Sequence, residues 1–152
     1  MVVRNGSIAK LFIDEFKNNS DIVIFASGVS DSNEKRDNQF IREKELLVKT
    51  ISEFPNSKLV YFSSIFSNYV DNDYYRHKKN TEDFIKDNVS NYLIIRLPQV
   101  ISNTGNQNNL VNFFINSIKQ HKKVKIQKHT KRALVDVEDV KILTWDRKST
   151  RL

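Results

Sequence analysis

The hydrophobic positions of this chain change period in a regular order, and that order predicts its elements. Met1 to Val3 is a short apolar start, and Ile8, Leu11, Phe12, Ile13 and Phe16 then recur at helical spacing. Asp21-Ile22-Val23-Ile24-Phe25-Ala26 is an almost unbroken apolar run between Ser20 and Ser27-Gly28, the pattern of a strand buried on both faces. Beyond a polar loop, Phe40, Ile41, Leu46, Leu47, Ile51 and Phe54 mark a long helix that ends near Pro55. Lys58 to Phe62 reads as a third strand, and a helix capped by Asp73 is predicted to run to about Lys86. Tyr92 to Leu97 is a strand that stops at Pro98. A polar loop holding Thr104-Gly105-Asn106 leads to a helix with Leu110, Phe113, Phe114, Ile115 and Ile118 on its apolar positions, the phenylalanine pair being read as core. Two short apolar pieces, Val124 to Ile126 and Ala133 to Val137, follow. Strands alternating with helices of this length pair in parallel through right-handed crossovers, so the expected fold is an open α/β sheet flanked by helices.

The 152 residues fit one domain, expected over 1–143, with 144–152 as an unstructured tail because Asp146 to Leu152 shows no apolar period. RKSTRL resembles a translated adapter end, which suggests a chain cut short. Cys is absent, so disulfides and thiolate metal sites are excluded and a reducing, cytoplasmic setting is expected. No apolar stretch approaches membrane-spanning length and the amino terminus lacks a signal-peptide core. His77, His121 and His129 are not at ligand spacing with carboxylates, so no metal site is expected.

Charge adds a location. The net charge is +7, and no carboxylate side chain lies between Asp87 and Asp136, whereas Lys119, Lys122, Lys123, Lys125, Lys128, Lys131 and Arg132 crowd that interval. A solvated lysine surface, an anionic small-molecule site and a nucleic-acid face all fit such a stretch. The run from Lys119 to Arg132 holds no aromatic residue to stack on bases, which disfavours nucleic acid.

Parallel sheets bind ligands beyond the carboxyl ends of their strands. The turn Arg4-Asn5-Gly6-Ser7-Ile8-Ala9 places Gly6 and Ala9 where a dinucleotide fingerprint has its second and third small residues, with Arg4 in the place of the first glycine. By itself this is a weak signal. In the 73–86 helix, Tyr74 with Lys78 and Tyr75 with Lys79 both stand at i, i+4 and so share a face. An ammonium beside a phenol favours the phenolate and lowers its pKa toward neutral. Ser63 or Ser64, closing the preceding strand, could hydrogen-bond the same reacting oxygen.

In this order the parts resemble the extended short-chain dehydrogenase/reductase family, the nucleotide-sugar epimerases and dehydratases. The resemblance spans most of residues 1–142: the glycine-containing first turn, the Asp21 to Gly28 strand, the paired serines, Tyr74-x-x-x-Lys78 with Glu82 four residues on, Arg96-Leu97-Pro98, and Arg132-Ala133-Leu134-Val135-Asp136-Val137-Glu138-Asp139-Val140. It implies a Rossmann-like domain with NAD or NADP as cofactor and a sugar nucleotide as substrate. Tyr74 would be the acid/base, because Tyr75 with Lys79 lacks the following acid. Lys78 would lower its pKa and hold the nicotinamide ribose, and Ser64 would polarise the carbonyl with Ser63 and Ser67 as alternates. Asn5, Gly6, Ile8, Ala26, Ser27, Gly28, Ser63, Lys78 and Pro98 would line the cofactor. Arg132 would meet a substrate phosphate, with Thr104 and Asn106 beside the substrate and a remnant of the substrate region near 123–143. A non-catalytic dinucleotide-binding regulator on the same fold is the alternative, and a homodimer is left open. The chain departs from the family pattern after its first helix: two customary strands and the acidic residue that reads the ribose 2′-hydroxyl have no room, which leaves NAD against NADP undecided.

Overall fold

Strands β1 (Val2–Val3), β2 (Ile22–Phe25), β3 (Lys58–Ser64) and β4 (Tyr92–Leu97) form a single sheet in that order, with every pairing parallel. The computed structural model describes residues 1–4, 6–102, 110–126 and 128–149. Register is set by the aliphatic runs: Val3 lies opposite Phe25, Phe25 opposite Tyr61, and Tyr61 opposite Ile94. All four carboxyl ends therefore share one edge.

Side chains alternate across the sheet and build a core on each face. On one face Val3, Val23, Phe25, Leu59 and Tyr61 pack with Leu47 of α3 (Asp37–Glu53) and Ile85 of α4 (Asp73–Asn88). On the other, Ile24, Val60, Phe62 and Leu97 pack with Phe12, with Phe16 and with Val140 of α6 (Val137–Ser149). Ile24 and Val60 are fully enclosed, each worth roughly 1.5–3 kcal/mol of burial. Strands sealed from water on both faces explain why their sequences are continuous apolar runs.

The structure corrects the expected elements at four places. The single helix over Ile8 to Phe16 is two short helices, α1 (Ser7–Lys10) and α2 (Ile13–Phe16), because the chain turns at Leu11 and Phe12 to drive Phe12 and Phe16 under the sheet. The cap of α4 is Asn72, whose side chain accepts from the Tyr75 N–H at 2.8 Å, while Asp73 lies in the first turn. Beyond Pro98 a further strand, β5 (Gln99–Ile101), pairs in parallel with β6 (Leu134–Asp136) as a separate small sheet. Finally, α6 continues through Ser149, into the tail expected to lack structure; no glycine or proline stands between 137 and 149 to stop it. Val124 to Ile126 forms no regular element. Helix α5 (Leu110–Lys119) appears as expected, although Phe113 is half exposed and not core.

Among the described residues no helix is long and apolar enough to cross a membrane.

Candidate functional site

The parallel register gathers the expected cofactor residues at one edge. Gly6, opening α1, follows β1; two residues beyond the last paired position of β2, Phe25 with Tyr61, come Ser27 and Gly28; Ser63 and Ser64 close β3; and Pro98 follows β4. Ala133, next to Arg132, accepts from the Gln99 N–H at 3.3 Å, so the exposed Arg132 stands beside the Pro98 corner. Asn5, Thr104 and Asn106 lie outside the described residues. Arg4 has φ 83°, a left-handed conformation that costs a side-chain-bearing residue about 1 kcal/mol and explains why a glycine suits that position.

Helices α3 and α4 lie on the same face and bring Lys78 under this edge. Its ammonium is buried and donates to Glu43 Oε1 at 3.1 Å and to the Tyr61 hydroxyl at 3.0 Å. Tyr61 in turn donates to Glu43 Oε1 at 2.9 Å, the Val29 N–H donates to Oε2 at 2.7 Å, and His77 Nε2 lies 3.0 Å from Oε2. A Cβ at Gly28 would come within 2.5 Å of Lys78 Nζ and 3.2 Å of Glu43 Oε1, so this glycine is present for space; its φ is not positive. Burial alone would raise the Glu43 carboxyl; the Lys78 charge, His77 and the Val29 N–H outweigh it and hold the group below the usual carboxylate range.

Tyr74 differs from its expectation. Its ring lies 5.8 Å from Lys78 Nζ and edge-on to Tyr75 at 5.0 Å between centroids, but the ammonium spends its bonds on Glu43 and Tyr61. Burial first, then the Glu43 charge, push the Tyr74 phenol up, opposite to the expected lowering. The spacing put a cation beside the phenol; the fold turned that cation toward a carboxylate.

The serines also divide. Ser64 Oγ accepts from the Phe66 N–H at 3.2 Å, Ser67 Oγ donates to Glu82 at 3.0 Å and the buried Ser63 hydroxyl also faces the Glu82 carboxylate, whereas Ser27 Oγ is buried with no hydrogen-bond partner. Glu82, fully buried, is clamped by Arg96 through Nε at 2.9 Å and Nη2 at 2.5 Å. Arg96 thereby ties β4 to α4. Burial raises the Glu82 carboxyl, but the Arg96 and serine bonds prevail and its pKa is lowered.

Two residues escaped the sequence reading. Glu43 stands three after Phe40 and four before Leu47, on the buried stripe of α3, and a carboxylate on such a stripe was the available signal. Arg42, beside it, has Nε and Nη1 buried without a hydrogen-bond partner, and its Nη2 lies 3.5 Å from the Ser27 carbonyl. Its sequence neighbourhood of mixed charges offered no signal.

Comparison with known proteins gives this geometry its context. No family model matches the chain, and no curated protein matches it in sequence. The Bordetella bronchiseptica enzyme WbmH in complex with NAD+ gives a TM-score of 0.70 at 15% identity, over 97% of this chain and 56% of that one. UDP-glucuronic acid 4-epimerase from Bacillus cereus, with UDP-glucuronic acid and NAD, gives 0.67 at 16% identity over 97% and 54%. The dTDP-glucose 4,6-dehydratase DesIV from Streptomyces venezuelae, a double mutant with NAD and DAU bound, gives 0.63 at 11% identity over 92% and 52%. The fold is the Rossmann-like α/β fold of these epimerases and dehydratases. The chain spans about half the length of each, and at such identities the likeness is one of fold.

Proposed function

We propose that this chain is the dinucleotide-binding part of an NAD(P)-dependent oxidoreductase of the sugar-nucleotide epimerase and dehydratase kind. The observation that carries the reading is the place of Lys78: the lysine of Tyr-x-x-x-Lys lies directly beneath Gly28, at the edge where Gly6, Ser27 and Ser63 converge. A dinucleotide fits the polar groups found there. A Cβ at Gly6 would meet nothing within 4 Å, leaving room for close backbone approach, and the unpartnered Ser27 hydroxyl needs a hydrogen-bond partner. When bound, the dinucleotide would supply the hydride acceptor.

The chain's own residues would then divide the remaining work. Tyr74 would exchange the proton with the substrate oxygen, and because burial and Glu43 raise its phenol in the unliganded chain, that role needs the bound cofactor and substrate to lower it. Lys78 would hold the cofactor ribose, Ser64 would polarise the substrate carbonyl, and Arg132 would take a phosphate through its planar fork. Ile8, Ala26 and Pro98 would supply apolar and backbone walls, and Asn5, Thr104 and Asn106 belong to the same reading. A second reading, a dinucleotide-binding regulator without catalysis, is favoured by one observation: the Lys78 ammonium bonds Glu43 and not the Tyr74 hydroxyl.

Calorimetry with NAD and NADP separately tests the shared part, and binding of neither removes both readings. Cofactor-dependent conversion of UDP- or dTDP-hexoses, lost by several powers of ten in Tyr74→Phe with affinity for the dinucleotide kept, supports catalysis. Binding without turnover in the parent chain selects the regulator.

A further inference from the structure

Glu43 is fully buried, yet each of its oxygens is engaged, and its partners come from three separate segments. The Val29 N–H reaches it from the loop after β2, the Tyr61 hydroxyl from β3, and His77 and Lys78 from α4. Lys78, almost as buried, finds Glu43 as its one carboxylate partner among the described residues. Two opposite charges taken out of water together compensate each other only at close contact, which the 3.1 Å separation supplies. The same contact fixes where the charge sits: Gly28 roofs the ammonium, and the Tyr74 ring stands off at 5.8 Å.

We propose that Glu43 is a positioning residue for Lys78, anchoring its ammonium beneath Gly28 at the edge where the dinucleotide would lie and off the Tyr74 hydroxyl. This rests on the dinucleotide reading of Lys78 given above. A pair that served only to staple α3 to α4 would affect folding alone; a positioning pair also governs the electrostatics felt by Tyr74 and the ligand. The charged and titratable groups acting on Tyr74 are Glu43 from α3, Lys78 and Tyr75 from α4, Tyr61 from β3 and Asp31 from the loop after β2. Of these, Glu43 is the anion closest to the ammonium. Its removal takes away a charge that opposes the phenolate and frees the ammonium to move toward the phenol, so both effects lower the Tyr74 titration.

The test uses the full chain with ring-labelled tyrosine, Tyr74→Phe to assign the signal, and Glu43→Gln and Glu43→Asp, each checked for folding by thermal melting. In Glu43→Gln the Tyr74 signal should begin to titrate at a lower pH than in the parent, and NAD affinity measured by calorimetry should fall about tenfold. Glu43→Asp should recover part of both. A folded Glu43→Gln with parental Tyr74 titration and parental NAD affinity overturns the proposal. Should Glu43→Gln not fold, the parent chain still decides. An ammonium held by a buried carboxylate exchanges slowly enough to give a 15N-detected lysine signal near neutral pH that disappears in Lys78→Met, and absence of that signal overturns the anchoring. If the parent binds neither NAD nor NADP, the dinucleotide reading fails by itself, while the tyrosine titration and the ammonium signal continue to report whether Glu43 holds Lys78.

Discussion

Gly28→Ala adds one methyl group at the most crowded point of the site, and its consequence can be worked from the surrounding atoms. The new Cβ would stand 2.5 Å from Lys78 Nζ, 3.2 Å from Glu43 Oε1 and 3.7 Å from Glu43 Cδ. The nearest atom ends a flexible side chain, which on an open surface would simply swing away. Here it is buried and bonded to both Glu43 and Tyr61, so moving it sacrifices at least one charge-assisted hydrogen bond, about 1.5–3 kcal/mol. Against that, replacing glycine by alanine restrains the unfolded chain and returns roughly 0.4–1 kcal/mol, since the Gly28 backbone is not left-handed. The net expectation is a loss of about 1–2 kcal/mol, or roughly 2–8 °C in Tm for a chain of this size. Thermal and urea unfolding followed by circular dichroism measure it. Because the penalty is attributed to Lys78, the same substitution made in a Lys78→Ala background should be neutral or stabilising. A Gly28→Ala protein as stable as the parent, or an equal loss in both backgrounds, refutes the steric reasoning.

Other consequences follow from the same contacts. Glu43 has a lowered pKa, so its ion pair contributes stability that is complete above the unfolded carboxylate value of about 4.3 and drains away as pH falls toward the folded value; urea titrations between pH 5 and 2 should show that loss, flattened in Glu43→Gln. Arg96→Met removes the clamp on buried Glu82 and should cost roughly 2 kcal/mol in urea unfolding at pH 7, less than a fully buried pair because the Arg96 side chain is 38% exposed. Arg42→Met removes guanidinium nitrogens that are buried without partners, so the unliganded protein should melt at a higher temperature, by an amount corresponding to about 1 kcal/mol. Arg132→Ala should weaken sugar-nucleotide binding by about 1.5–3 kcal/mol with little effect from single lysine changes nearby; equal, steeply salt-dependent losses at every basic position would instead indicate a nucleic-acid face.

The strands at Ile22–Phe25, Lys58–Ser64 and Tyr92–Leu97 were legible because a sheet covered on both faces demands apolar residues without interruption, a requirement written locally in each segment. The parallel order followed from the intervening helices, and with it the edge at which Gly6, Ser27, Gly28, Ser63 and Pro98 gather. Local spacing also put Tyr74 and Lys78 on one helical face. It could not say where the lysine would point, because a four-carbon side chain is directed by its strongest buried partner. That partner, Glu43, lies 35 residues away on another helix and becomes a neighbour only when α3 and α4 pack on the same face of the sheet. The direction of the Tyr74 pKa was therefore a property of the assembled fold: the ammonium that sequence places beside the phenol is neutralised by a carboxylate that only tertiary packing supplies, and burial then decides the sign. Arg96 and Glu82 show the same division, each readable as a motif residue, their mutual clamp fixed by the pairing of β3 with β4 beneath α4.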